Sequence, residues 1–218
     1  MNQQNNFLKI KDDFVQYGPI GYPKRILKYV LRKLGIVIDS YYYMINQINV
    51  EECKKQFEDA QLPPVKQLTF EDFLKGDKGV FNEKKLSMIK QRLADDTFKA
   101  FGIVENGSLL YSCWISLKKL ETSNHCVIGE LNENEGLLID AYCSPSARGR
   151  GIHGAMNAFR LYQIAKHGKD RGVAIVLKEN TPAYKSQKKV GFKTIFVYTV
   201  IEVFGKSFTN YHKLKSQY

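Results

Sequence analysis

No stretch of the sequence reaches the roughly 18 consecutive apolar residues that a membrane-spanning helix requires, so no helical span is expected. The N-terminus, MNQQNNFLKIKDDF, has no apolar signal core, and a cytoplasmic, reducing location is the expectation. Cysteine is sparse: Cys53, Cys113, Cys126 and Cys143 form no CxxC pair, which excludes a small disulfide scaffold. Cys113 and Cys143 lie in apolar, strand-like runs and read as reduced core thiols. The histidines (His125, His153, His167, His212) show no metal-ligand spacing, and no metal is expected. Proline and glycine are modest and neither repeats nor low-complexity tracts occur, which removes collagen-like and disordered classes.

What the chain does have is 218 residues, 44% of them hydrophobic, and a net charge of +11. That suits a compact domain burying about 70% of its unfolded surface. The charge is uneven. Residues 1–139 hold 19 Lys+Arg against 18 Asp+Glu, and residues 140–218 hold 14 against 4. A basic last third fits a solvated face, nucleic acid, an anionic membrane surface or a phosphorylated small ligand.

Residues 1–21 read as a lead-in. Residues 22–34, YPKRILKYVLRKL, have helical periodicity through Ile26, Val30 and Leu34, with five basic residues and no acidic one. Docking on its own domain is the expected role of this helix, with a membrane surface as the other reading. Ile36–Ile45 is predicted as a strand and 49–60 as a helix. Pro63-Pro64 then marks a boundary between an N-terminal extension, 1–62, and a main domain, 63–218. Thr69 and Asp72 form a capping-box pattern, and 82–95 is predicted helical. Phe98–Val104 and Leu109–Leu117, joined through Asn106-Gly107, predict a β-hairpin. Residues 121–135 read as a polar loop or ragged strand end.

From Gly136 the pattern is a strand (Leu137–Cys143, interrupted by Asp140), the turn Arg148-Gly149-Arg150-Gly151 and a helix. A strand (Val173–Leu177), a short helix (Thr181–Lys189) and the β-rich run Lys193–Phe204 follow. This is a mixed α/β arrangement with at least one parallel crossover. A glycine-rich turn at a helix N-terminus presents unpaired amides to an anion, and arginines beside it can fork onto phosphate oxygens. No Walker GKS/GKT follows, and the strand lies too far from the glycines for a dinucleotide fingerprint.

On these residues the sequence resembles the GNAT superfamily of acyl-CoA-dependent N-acyltransferases. The resemblance rests on the strand Leu138–Cys143, Pro145, Arg148-Gly149-Arg150-Gly151-Ile152-His153, and then Asn180, Ala183 and Gly191-Phe192. It is clear over about residues 98–200, extends more weakly back to 65, and is absent from 1–60. It implies a GNAT-like fold, a central mixed sheet flanked by helices, with an N-terminal extension. Two positions depart from the family pattern: His153 stands where Gly or Ala is usual, and Gln187 where many members carry a tyrosine acid.

The resemblance further implies acetyl-CoA as cosubstrate. Its pantetheine arm would run along the strand near Ala141 and Cys143. Its pyrophosphate would sit on Arg148, Gly149, Arg150, Gly151, Ile152, His153 and Gly154, with Asn180 on the cofactor arm. A primary amine would attack the thioester directly, a backbone N–H near Tyr142 or Cys143 polarising the carbonyl. Asp140 is the nearest candidate base, Tyr184 the substitute acid, and Tyr142 lines the acceptor pocket or packs. The expected partner is a small-molecule or peptidic amine; nucleic acid is not expected, and a C-terminal edge strand could pair two subunits into a homodimer. Two alternatives stand beside this reading: a catalytically degenerate acyl-CoA-binding protein, and a basic module for nucleic acid or an anionic surface.

Overall fold

The structure is a computed structural model that describes residue 23, 26–122, 127–204 and 206–213; the side chains of 202, 206, 207 and 209–213 are not described. The lead-in 1–21, His125, Cys126 and the side chain of His212 therefore lie outside the described residues. The chain forms two compact units that do not follow its linear order. One takes 1–44 with 176–218, the other 45–175.

The second unit is built around the strands β2 (Lys66–Gln67), β3 (Phe98–Glu105), β4 (Ser108–Ser116), β7 (Glu135–Cys143) and part of β8 (Arg171–Leu177), ordered β8-β7-β4-β3-β2. β7 and β8 are parallel and the other neighbours antiparallel, so the sheet is mixed. The β3–β4 turn falls where Asn106-Gly107 predicts it, both residues having positive φ. β4 is the central strand, buried from Leu109 to Ser116.

The two faces of β4 receive different layers. Trp114 stacks on Phe73 of α3 (Phe70–Leu74), with α4 (Glu83–Leu93) on the same side. On the other face Phe101 and Phe57 both meet Phe159, which joins α2 (Val50–Asp59) to α5 (Ile152–Lys166). The caps follow the sequence: Asn49 and Asn82 accept from amides three residues on, and Thr69 with Asp72 forms the capping box. Gly136 lets α5 approach the sheet, because a Cβ there would come within 2.7 Å of Ile164.

The polar stretch 121–135, expected as a loop or ragged strand end, contains a short strand. Val127–Glu130 forms β6, paired with β5 (Lys119–Glu121) in a separate two-stranded sheet. Each strand is too short to show a period in the sequence.

The first unit contains α1 (residues 26–33), most of β1 (Ile36–Gln47), α6 (Thr181–Lys189), and the antiparallel pair β9 (Lys193–Val203) and β10 (Lys206–Lys213). β1 is stitched to β9 by aromatic pairs, Tyr41 on Tyr198 and Tyr43 on Phe196, and by a 2.9 Å hydrogen bond between the Ser40 and Thr199 hydroxyls. The C-terminal strand β10 pairs with β9 of its own chain along one side and stands at the edge of its sheet among the described residues. Among the described residues no helix is long and apolar enough to cross a membrane.

Candidate functional site

The interruption at Asp140 is a β-bulge. Tyr142 pairs with Ser112 and Ile139 with Trp114, so Asp140 and Ala141 together oppose the single residue Cys113. Asp140 takes φ +47 to make the extra step. Its carboxylate turns toward α4, where Lys85 Nζ lies 3.0 Å from Oδ1 and Arg92 Nη1 3.0 Å from Oδ2. Arg92 is buried, also pairs with Glu121, and sits over Trp114 and Phe98. The bulge is thus tied to the helix below it by charge-assisted hydrogen bonds.

On the other edge of β7 the parallel ladder with β8 runs from Glu135–Arg171 to Leu138–Ala174 and ends there, five residues before β7 does. The Ser144 amide donates to the Leu110 carbonyl of β4 at 2.8 Å. Alternation along the strand then turns the backbone groups of Cys143 and Ala141 away from β4, toward the edge where the ladder has ended. Those are the two residues singled out for the pantetheine arm.

Beyond Cys143, Pro145–Ala147 makes a single 3₁₀ turn that leads to Arg148. Gly149 and Gly151 have φ +79 and +73, left-handed conformations that favour glycine, and Gly151 is the N-cap of α5. Among the described residues no backbone carbonyl accepts from the amides of Gly149 to His153. Arg148 and Arg150 are exposed, and the space around Gly149, Gly151 and Gly154 is open. These amides, the α5 dipole and two guanidinium groups form a cradle suited to a phosphate group.

His153 turns inward and shares Nδ1 with the Tyr111 hydroxyl at 2.9 Å. Burial, with the charge of Arg160 adding to it, lowers its pKa to about 4, so it is neutral at pH 7. Cys143 is a thiol raised above its ordinary pKa by burial, against the pull of Arg148 and Arg150, and its Sγ donates to the Ser144 carbonyl at 3.7 Å. Among the described residues no basic side chain is hydrogen-bonded to it to activate it as a nucleophile. Tyr142 packs edge-on against Phe81 with ring centroids 5.0 Å apart, and burial raises its phenol.

Asn180, Tyr184 and Gln187 belong to the first unit. Asn180 is the N-cap of α6, its side-chain oxygen accepting from the Ala183 amide at 3.2 Å. The Tyr184 ring lies 4.5 Å from Tyr42, and its hydroxyl accepts from Thr194 at 3.3 Å. Gln187 is buried, and its Oε1 has no partner among the described residues.

Sequence reading missed Lys85, Arg92 and Arg160. Arg160 is 2% exposed, donates to the Ile139 carbonyl just before the bulge at 3.4 Å, and contacts Asn157. A basic residue between Phe159 and Leu161 in an otherwise apolar helix face was the available signal for Arg160. Nothing local signalled the other two, whose partner lies about 50 residues away. Among the described residues no cluster of His, Cys, Asp and Glu suits a metal ion.

No protein-family model matches the sequence, and no curated protein matches it. Solved structures resemble the fold. A Drosophila protein superposes with a TM-score of 0.53 at 18% identity, over 85% of this chain and 59% of that one. An acetyltransferase of the GNAT family from Colwellia psychrerythraea gives 0.51 at 13% identity, over 81% of this chain and 61% of its own. The glucosamine N-acetyltransferase region of a fungal multi-domain β-N-acetylglucosaminidase gives 0.52 at 15% identity, over 82% of this chain and 22% of that protein. The chain thus spans less than two thirds of the length of each. The likeness is one of fold: the GNAT-like mixed sheet flanked by helices expected from the sequence is the architecture observed.

Proposed function

We propose that this chain is a GNAT-superfamily N-acyltransferase that moves an acetyl or other short acyl group from acyl-CoA to a primary amine. One observation carries the reading. A strand bulged at Asp140 and Ala141, whose parallel ladder has already ended, leads directly into a glycine-arginine turn with free amides at the start of α5. In this reading Ala141 and Cys143 bind the pantetheine amides. Arg148, Gly149, Arg150, Gly151, Ile152, His153 and Gly154 surround the pyrophosphate, and Asn180 borders the cofactor arm. His153, being neutral, contributes shape and not charge.

The amine nitrogen forms a bond to the thioester carbonyl carbon while the carbon–sulfur bond breaks. The Cys143 backbone N–H polarises the carbonyl, the CoA thiolate leaves and takes a proton, and the attacking nitrogen loses one. Tyr184 is the proposed acid. Asp140, held by two cations, fixes the bulge and is the candidate base only through water. Tyr142 borders the acceptor. In the same proposal the protein acts in the cytoplasm, and residues 1–62 are an extension of the domain 63–218.

The test is titration calorimetry with acetyl-CoA, followed by thiol release over a panel of amines. Micromolar binding with thiol release supports the enzyme, and absence of binding refutes it. Gln187 favours a second reading, a protein that binds acyl-CoA without turning it over, because an amide at the family's tyrosine position cannot protonate a thiolate. Binding without thiol release across the panel would select it.

A further inference from the structure

We propose that the first unit docks on an anionic lipid bilayer surface through the outward face of α1. This inference stands apart from the acyl-transfer reading. It rests on a helix whose amphipathicity is inverted. Lys28 and Arg32, at i,i+4 spacing, face the body of their own unit. Lys28 Nζ lies 3.2 Å from Asp39 and 2.7 Å from Glu179, and Arg32 Nη2 lies 2.6 Å from Asp39, which is 2% exposed. Lys28 and Arg32 are therefore paired with carboxylates on the inner side of the helix, Arg32 remaining about half exposed. The apolar side chains point the other way: Ile26, Leu27, Val30 and Leu34 are 50%, 60%, 48% and 60% exposed.

The patch continues past the helix. Phe204, 80% exposed at the β9–β10 turn, donates its amide to the Gly35 carbonyl at 2.9 Å, which sets its ring beside Gly35 and next in chain to Leu34. At the flank, Lys33 Nζ lies 5.0 Å over the exposed Tyr29 ring. An aliphatic face with an aromatic ring and lysine at its border is the composition of a helix lying in a membrane interface.

Charge selects the occupant. This unit holds 15 Lys+Arg against five Asp+Glu, a net of +10, and Lys24 and Arg25 immediately precede α1 in the sequence. A second copy would bring a like-charged unit against it, whereas anionic headgroups are complementary to it.

The experiment is co-sedimentation of the full chain with vesicles of phosphatidylcholine alone or with about one-third phosphatidylserine. Binding to the anionic vesicles is expected to exceed that to neutral ones at least about tenfold. It should fall sharply as salt rises from about 0.1 M to about 1 M. The exposed pair Leu27→Glu and Leu34→Glu should remove it. A Tyr29→Trp reporter, which needs no such change, should shift to the blue only with anionic vesicles. Equal binding to both vesicle types overturns the proposal, as does undiminished binding of the double variant. So does Tyr29→Trp emission already blue-shifted without vesicles, which would show the face covered by another part of the chain or by a second copy.

Discussion

The two units of this chain solve the problem of charge in opposite ways. In residues 45–175, 18 Lys+Arg meet 17 Asp+Glu, and the buried Arg92 and half-buried Lys85 are bound into the network Lys85–Asp140–Arg92–Glu121. In residues 1–44 and 176–218 the net charge is +10, and this unit carries most of the large hydrophobic side chains that are exposed among the described residues. The excess charge of the whole molecule therefore does not belong to the phosphate cradle, whose Arg148 and Arg150 lie in the balanced unit. It belongs to the unit with the apolar face, and the two features together describe a surface meant for something other than water.

Arg92→Ala should cost the most, about 3–5 kcal/mol in chemical denaturation, because it leaves two carboxylates without their buried cation. A cost under about 1 kcal/mol would show that the balanced unit does not depend on this network. Next is the pH dependence of His153. Its pKa is lowered from 6.5 to about 4 in the fold, so the unfolded chain binds the proton first and stability falls as pH drops from 6.5 toward 4. The loss should reach about 3 kcal/mol, and His153→Gln should flatten it. Asp72 and Asp95 enter mainly beneath that window: both are pulled down from the ordinary 3.8, so the stability they contribute is lost only as pH falls below about 4. Asp39→Asn comes third, at about 2 kcal/mol, because its partners Lys28 and Arg32 are partly solvated. It should loosen α1 in hydrogen exchange while leaving acetyl-CoA binding unchanged.

Much of this was legible in advance, for local reasons. The Asn106-Gly107 hairpin, the Thr69–Asp72 capping box and the limits of α6 come from residues close in sequence, and each formed as read. The glycines of the Arg148–Gly151 turn were legible because left-handed φ has few other occupants. The bulge showed only as a polar residue in an apolar strand; that Asp140 turns to α4 depends on Lys85 and Arg92, brought there by the fold. The inward direction of His153 depends in the same way on Tyr111, and the inverted face of α1 on Asp39 and Glu179. Periodicity located that helix and could not say which side would face water.

Acyl-CoA is proposed to bind with its pyrophosphate at the start of α5. Titration calorimetry of acetyl-CoA against the wild-type chain and the Arg148→Ala/Arg150→Ala variant tests it most directly. Both side chains are exposed, so the variant should melt as the wild type does. The account predicts micromolar binding by the wild type and an affinity about 10- to 100-fold lower in the variant, with a weaker dependence on salt. Equal affinities, or no binding by the folded wild-type chain, would contradict it.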